Sequence, residues 1–154
     1  MRTVVQRVRR ASVTVEGAVR GEIGPGLVAL LACEEADTTA AAHWTVDKLV
    51  NLRIFEDAAG KMNLSVLDTK GGLLLVPNFT VAGDASKGRR PSFDGAMKPE
   101  SASALFDHAV GLARAAGVPV ATGVFRATML VNIENDGPVT LVLQSPPATQ
   151  PPAR

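Results

Sequence analysis

The segment Gly24-Pro25-Gly26-Leu27-Val28-Ala29-Leu30-Leu31-Ala32-Cys33 opens on a turn and continues as seven consecutive apolar residues. Proline presets one φ and glycine permits a positive one, so the chain reverses at 24–26. Seven apolar residues fall far short of the roughly 20 that a membrane helix needs. Apolar on both faces and bounded by a turn, 27–33 predicts a fully buried strand. Upstream, residues 3–16 predict a strand carrying Val4, Val5, Val8, Val13 and Val15 among Thr and Ser. Its apolar phase slips near Arg9-Arg10, which predicts a bulge or bend there. Gly17 turns the chain, and 18–23 lead back to Gly24.

Downstream, Asp37 is the expected N-cap of a helix running to about Leu52, with Ala42, Val46, Leu49 and Val50 at helical spacing and Trp44 on the shoulder. Strands are expected at 53–55 and 62–66 around a turn at Asp57 to Gly60, and at 73–76 after Gly71-Gly72. The last of these runs into Pro77-Asn78-Phe79-Thr80. Residues 83–98 form the only long polar loop. A second helix is expected over 99–116, with Leu105, Phe106, Ala109, Val110, Leu112 and Ala113 as its stripe and Gly117 as its C′ residue. Strands at about 124–133 and 139–144, joined by Glu134-Asn135-Asp136-Gly137-Pro138, close the domain. Strands outnumber helices and most are joined by turns. That pattern predicts an α+β domain: an antiparallel or mixed sheet, curled toward a barrel, with two external helices.

The chain has 154 residues, the size of one domain, and a fold of that mass buries about two-thirds of the surface of its open chain. With 46% apolar and 20% charged residues, disorder is excluded for the body of the chain. The domain is expected over 1–145, and the tail 146–154, with four of the ten prolines, is expected to be disordered. The single cysteine rules out a disulfide framework and a multi-Cys zinc site. Without a signal-peptide core or a membrane span, the expected location is the cytoplasm.

The conventional catalytic inventory is nearly empty. Cys33 ends a buried strand with no cation beside it in sequence, which fits a packed core thiol. His43 and His108 stand in neither metal-ligand nor triad spacing. Glu34-Glu35 and Glu56-Asp57 are acidic pairs at strand ends, and a solvated turn explains them at least as well as a chemical role does. No GxSxG, HExxH, Walker or Rossmann signature occurs. Either the chain is a binding module, or its chemistry rests on backbone groups and on the substrate.

Charge is more informative locally than globally. The whole chain carries +1, yet residues 1–20 hold Arg2, Arg7, Arg9, Arg10 and Arg20 against Glu16 alone. The loop 84–98 holds Lys87, Arg89, Arg90 and Lys98 against Asp84 and Asp94. Brought together, the two segments would form a patch able to hold a few phosphates; apart, they are solvated faces.

Several segments together resemble the D-aminoacyl-tRNA deacylase (D-tyrosyl-tRNA deacylase) family. They are Met1 to Val8 with Ala11-Ser12-Val13-Thr14-Val15, Ile23 to Leu27, Arg53 to Asp57 with Gly60 to Ser65, Arg90-Pro91-Ser92-Phe93, and Asn135-Asp136-Gly137-Pro138-Val139-Thr140. The resemblance spans about residues 1–145. It implies a homodimeric hydrolase, without metal or organic cofactor, that cleaves the ester joining a D-amino acid or glycine to the tRNA acceptor end, a quality-control step in translation. By this resemblance Thr80 and Phe79 are catalytic, Thr80 organising the site rather than attacking. Asn78, Pro77, Gly137, Pro138, Met129 and Arg7 would bind or position substrate, and Lys87, Arg89 and Arg90 would hold tRNA.

In the family a Gly-cisPro pair of one subunit enters the other's active site, where its carbonyl oxygens accept from the substrate's ammonium group. An L side chain would then point into that backbone, and a D side chain away from it. The vicinal ribose hydroxyl supplies what a protein base otherwise would, and backbone N–H groups meet the oxyanion.

The departures lie mainly in the first motif. Pro77 and Asn78 stand where the family has serine and glutamine, 81–84 read Val-Ala-Gly-Asp where Leu-Tyr-Ala-Asp is common, and Thr128 stands where aspartate is usual. A related animal group that proofreads an L-alanyl-tRNA also carries proline at the first position. The alternative is therefore a non-catalytic or altered-specificity binder of the tRNA acceptor end with the same fold.

Overall fold

A computed structural model describes residues 1–147. Its elements are β1 (Arg2–Val15), β2 (Ala18–Ile23), β3 (Gly26–Ala32), α1 (Thr39–Asn51), β4 (Phe55–Glu56), β5 (Met62–Leu64), β6 (Gly72–Pro77), a 3-10 turn (Phe79–Ala82), α2 (Pro99–Ala115), β7 (Val120–Thr122) and β8 (Leu130–Gln144). The strand order is β2-β1-β3-β6-β7, with β8 on the other edge of β1. One edge of β1 pairs with β3 over residues 2–8 and with β2 over 11–15. Its opposite edge carries β8 over nearly its whole length.

The expected slip in β1 is present, and it explains how one strand serves two cores. Val8 pairs with Asn135 and Arg10 with Glu134, so Arg9 is the extra residue of a bulge. A one-residue slip moves every following side chain to the other face. Before the bulge, Val5 packs with Leu27, Leu31, Leu73 and Leu75 beneath the helices. After it, Ala11, Val13 and Val15 pack with Val28, Leu74 and Val76 inside the curl of the sheet. Alternate residues of β3 and β6 serve both clusters, which accounts for the uninterrupted apolar run at 27–33.

The curl nearly closes. A Cβ at Gly21 in β2 would stand 2.6 Å from the carbonyl oxygen of Thr122 in β7, so only glycine lets these strands approach. The result is the expected α+β architecture, a barrel-like mixed sheet with α1 and α2 packed on its outside.

Several expected boundaries move. β3, β6 and β7 pair in parallel, because the long segments carrying α1 and α2 act as crossovers. Of the strand expected at 124–133 only the part from 130 is extended, and it is one strand, β8, with the strand expected at 139–144; a short strand that was not expected, β7, precedes it at 120–122. Pro77, at the end of β6, has no N–H to continue the ladder toward the chain after Gly123. Thr38, not Asp37, is the N-cap of α1, and it makes no side-chain cap. Asp37 instead accepts from the Met1 ammonium and, at 2.6 Å, from Glu34 N–H. The tail expected from 146 lies, after Pro147, outside the described residues. Among the described residues no helix is long and apolar enough to cross a membrane.

Candidate functional site

At the end of β6, Asn78 N–H donates to the Leu31 carbonyl at 2.8 Å. The Asn78 side chain then caps the 3-10 turn: its Oδ1 accepts from Thr80 N–H at 3.2 Å and from the Thr80 hydroxyl. Asparagine is well suited to this, since a short amide reaches a backbone donor two residues on. Thr80 therefore sits in a capped turn rather than closing a strand, as its β-branched side chain alone would suggest. Its hydroxyl has no acid, base or histidine partner among the described residues. The turn's first amide, Phe79 N–H, has no acceptor within the turn.

The turn opens onto a cleft of about 690 Å³ lined by Pro77, Asn78 and Phe79 together with Lys98, Phe125 and Arg126. Phe79 is 59% exposed and meets Phe93 edge to face, with ring centroids 5.1 Å apart. Leu31, Met97 and Phe106 deepen an apolar floor. Such a cleft suits a ligand with a flat or apolar body and a polar reacting group.

Cys33 also lines this cleft. Burial, reinforced by the nearby Asp37 carboxylate and opposed by the Met1 ammonium, pushes its thiol up to about 12. At pH 8 only about one molecule in 10⁴ carries the thiolate, so Cys33 is no nucleophile. Cys33→Ala should keep any turnover in this cleft within about twofold of wild type, and iodoacetamide at pH 8 should label the native thiol far more slowly than a free cysteine. Mass spectrometry and single-turnover rates check both. The unfolded thiol ionises near 9.0 and the folded one near 12, so its stabilising contribution is intact below pH 9 and disappears from 9 toward 12.

Gly137 and Pro138 lie elsewhere on the chain. Gln6 pairs with Thr140 and Val8 with Asn135, so a single β1 residue, Arg7, faces the four residues 136–139 of β8. The excess chain loops out of the ladder and exposes Gly137 and Pro138. Their peptide bond is cis, and Gly137 has φ +123°. Three groups anchor this loop. Arg7, only 7% exposed, donates through Nη1 to the Ile54 carbonyl at 2.7 Å. Its Nε lies 3.3 Å from Asp136 Oδ2, an ion pair whose angle is unsuited to a hydrogen bond. Asn135 Nδ2 donates to both the Arg7 and the Val139 carbonyls at 3.0 Å, stapling the base of the loop.

The loop and the Thr80 turn do not meet within one protomer. Arg7 pairs with Leu27, whereas Thr3 pairs with Leu31, which holds Asn78. The two features are thus four residues apart along β1, roughly 13 Å at strand rise, and on opposite edges of it.

Met129 lies behind the cleft rather than on its wall. Its Sδ accepts from Val124 N–H at 3.3 Å, and it packs against Gly123 and the cluster inside the curl. Lys87, Arg89 and Arg90 occupy an exposed tip whose base is a two-way backbone pair, Asp84 with Ser92, both bonds 2.8 Å. Ser86 N–H donates to the Asp84 carboxylate and holds its pKa below the ordinary range, which sets the loop's entry.

The arginines of β1 do not join this tip. Arg7 is buried, Arg9 pairs with Asp136 at 3.1 Å, and Arg10 faces Glu22 at 3.9 Å. Only Arg2 reaches the 3-10 turn, at 3.5 Å from the Val81 carbonyl. Phe93, Phe125, Arg126 and the Asn135 staple are site features that sequence reasoning did not assign.

Residues 4–144 match the family model described as D-Tyr-tRNA(Tyr) deacylase. A Myxococcus xanthus (strain DK1622) protein named D-aminoacyl-tRNA deacylase is 56% identical over 151 residues, covering 98% of this chain and 99% of that one. One of the same name from Geotalea uraniireducens (strain Rf4) is 54% identical over 146 residues, covering 95% and 94%. A solved structure described as "c-Myc DNA Unwinding Element Binding Protein" is similar with a TM-score of 0.90 at 42% identity, over 95% of this chain and 99% of that one. Another, described as "Structural Analysis of a probable eukaryotic D-amino acid tRNA deacylase", shares the fold with a TM-score of 0.81 at 20% identity, over 92% and 97%.

Proposed function

The chain belongs to the D-Tyr-tRNA(Tyr) deacylase family, and we propose that it removes D-amino acids, and glycine from tRNA that should not carry it, through a site completed by a second copy of itself. As a D-aminoacyl-tRNA deacylase it is a carboxylic ester hydrolase. In the reading proposed here the aminoacyl ester lies at Phe79 and Thr80, with Phe79 N–H facing the developing oxyanion. The vicinal ribose hydroxyl of the substrate assists the attack of water, so no side-chain base is needed. The water oxygen bonds to the ester carbon, the bond to the ribose oxygen breaks, and the proton leaves with the tRNA. Asn78 keeps the Thr80 turn in shape by capping it.

The observation that carries the dimeric reading is the loop at Gly137-Pro138: it projects from the sheet, yet it is remote from the Thr80 turn of its own protomer. A partner's loop can fill the cleft where its own cannot. The edge that would bring the partner in is unusually open. Among the described residues β8 pairs only with β1, and Leu130, Leu141 and Val142 are exposed along it. A long apolar edge strand is normally covered. With a partner's Gly-Pro carbonyls accepting the substrate's ammonium, an L side chain would meet backbone and a D side chain or a hydrogen would not. Handedness would then be selected by exclusion.

Purified protein incubated with D-tyrosyl-, L-tyrosyl- and glycyl-tRNA tests the reading. The D ester and glycyl-tRNA should be hydrolysed at least ~100-fold faster than the L ester, and the protein should sediment as a dimer. Equal rates on D and L esters, or a monomer with full activity, would overturn it.

A further inference from the structure

Arg126 has φ +61°, in the left-handed region that residues other than glycine and asparagine enter at a penalty. It belongs to the turn that closes with Ala127 N–H on the Val124 carbonyl at 3.3 Å. Strain of this kind persists where something other than local stability keeps it. The side chain gives the fold little in return. It is 70% exposed, and its one ion pair among the described residues, with Glu100 at 3.9 Å, joins it to a carboxylate that is itself 82% exposed. Such a pair is screened by water and contributes almost nothing. The strained residue nevertheless lines the same cleft as Pro77, Asn78 and Phe79. Lys98 lines it too, is exposed, and has no ion-pair partner among the described residues.

We infer that Arg126, assisted by Lys98, is a specificity-determining residue that grips the phosphate of the substrate's 3′-terminal nucleotide. The inference rests on the proposed placement of the aminoacyl ester at Phe79 and Thr80. With the ester there, the terminal ribose lies in the cleft and its 5′-phosphate emerges at the mouth, one nucleotide from the reacting bond. A guanidinium offers paired N–H donors to phosphate oxygens, and an ammonium adds a point charge. Glu35 and Asp94 also line the cleft, so its net charge does not draw the polyanion in, and the position of the two cations carries the assignment. Lys87, Arg89 and Arg90 sit at a separate tip and would meet phosphates further along the acceptor strand. Arg126 instead reads whether the ester is attached to a nucleotide at all.

R126G removes both the guanidinium and the backbone penalty, and R126N keeps a residue tolerant of positive φ as a check on folding. For both, the thermal midpoint should be unchanged or higher, while KM for D-tyrosyl-tRNA rises several-fold with kcat retained. The slope of log KM against log salt should flatten by about 0.7, the value for one single-strand phosphate contact. R20A, the same charge loss on β2, should leave KM and slope near wild type. A variant with wild-type KM and slope, or one as affected as R20A, overturns the inference. If wild-type protein does not hydrolyse the D ester, the functional reading fails separately. Binding of uncharged tRNA to wild type and R126G then decides the inference by the same slope, and no binding by either overturns it.

Discussion

Gly137→Ala should abolish discrimination and most activity together, lowering the single-turnover rate on D-tyrosyl-tRNA by ~100-fold or more. The reason is backbone geometry. At φ +123° an L side chain is strained whatever the space, and the space is also taken. A Cβ would stand 2.8 Å from Val139 Cγ2 and 3.1 Å from both Arg7 Nη2 and Val139 N. The loop must therefore shift, and a shift of about 1 Å in a positioning element can cost about 100-fold in rate. Because the loop projects from an edge strand, the penalty to the fold should stay near 1–3 kcal/mol. Chemical denaturation and a D/L rate comparison separate these effects. A folded Gly137→Ala protein that still cleaves the D ester at wild-type rate and spares the L ester would remove this loop from the selection mechanism.

The same residues show how much of this the sequence carries. The slip at Arg9 was legible because the β-branched pattern of 3–16 changes phase there, and the bulge follows. The two-sided burial of 27–33 was legible because apolar residues at consecutive positions leave no solvent face. What was hidden was set by distant partners. Asp37 looks like a helix cap, but the Met1 ammonium and Glu34 N–H claim its carboxylate. β7 has only three residues and is held by its parallel neighbour, not by its own pattern. Residues 134–138 looked like a simple connection between two strands. In fact β1 pairs on both sides of them, and the loop is an insertion within one ladder.

In the site, the motif at 135–140 marked the loop. No local signal marked Arg126 or Phe125 as cleft residues, because the fold, not the local pattern, brings the turn after β7 to the cleft. Arg7 is intermediate. Its odd position among Thr3 and Val5 announces an inward side chain, but alternation cannot name what it meets.

Arg7→Met should lower stability by about 2–4 kcal/mol and reduce deacylation further than unfolding explains. Methionine keeps most of the buried volume, so packing is not the main loss. What disappears is a charged donor to the Ile54 carbonyl, worth about 1.5–3 kcal/mol, and a buried partner for Asp136, which leaves a charge that only Arg9 still faces. For a chain of this size that is a fall of roughly 5–15 °C in the midpoint. Arg7→Lys should recover part of the stability through the charge. It should not recover the rate, because one ammonium cannot hold the Ile54 carbonyl and Asp136 in the two directions the guanidinium spans.

Asp136→Asn should be milder than Arg7→Met. The double variant should be less damaged than the sum of the singles, since removing the arginine already breaks the contact that the second change removes. Urea midpoints and rates measured below the unfolding transition distinguish the outcomes. If Arg7→Met loses stability but, where folded, retains both rate and D/L ratio, Arg7 only buttresses β1, and the direction of the Gly137-Pro138 loop must be set by the Asn135 staple alone.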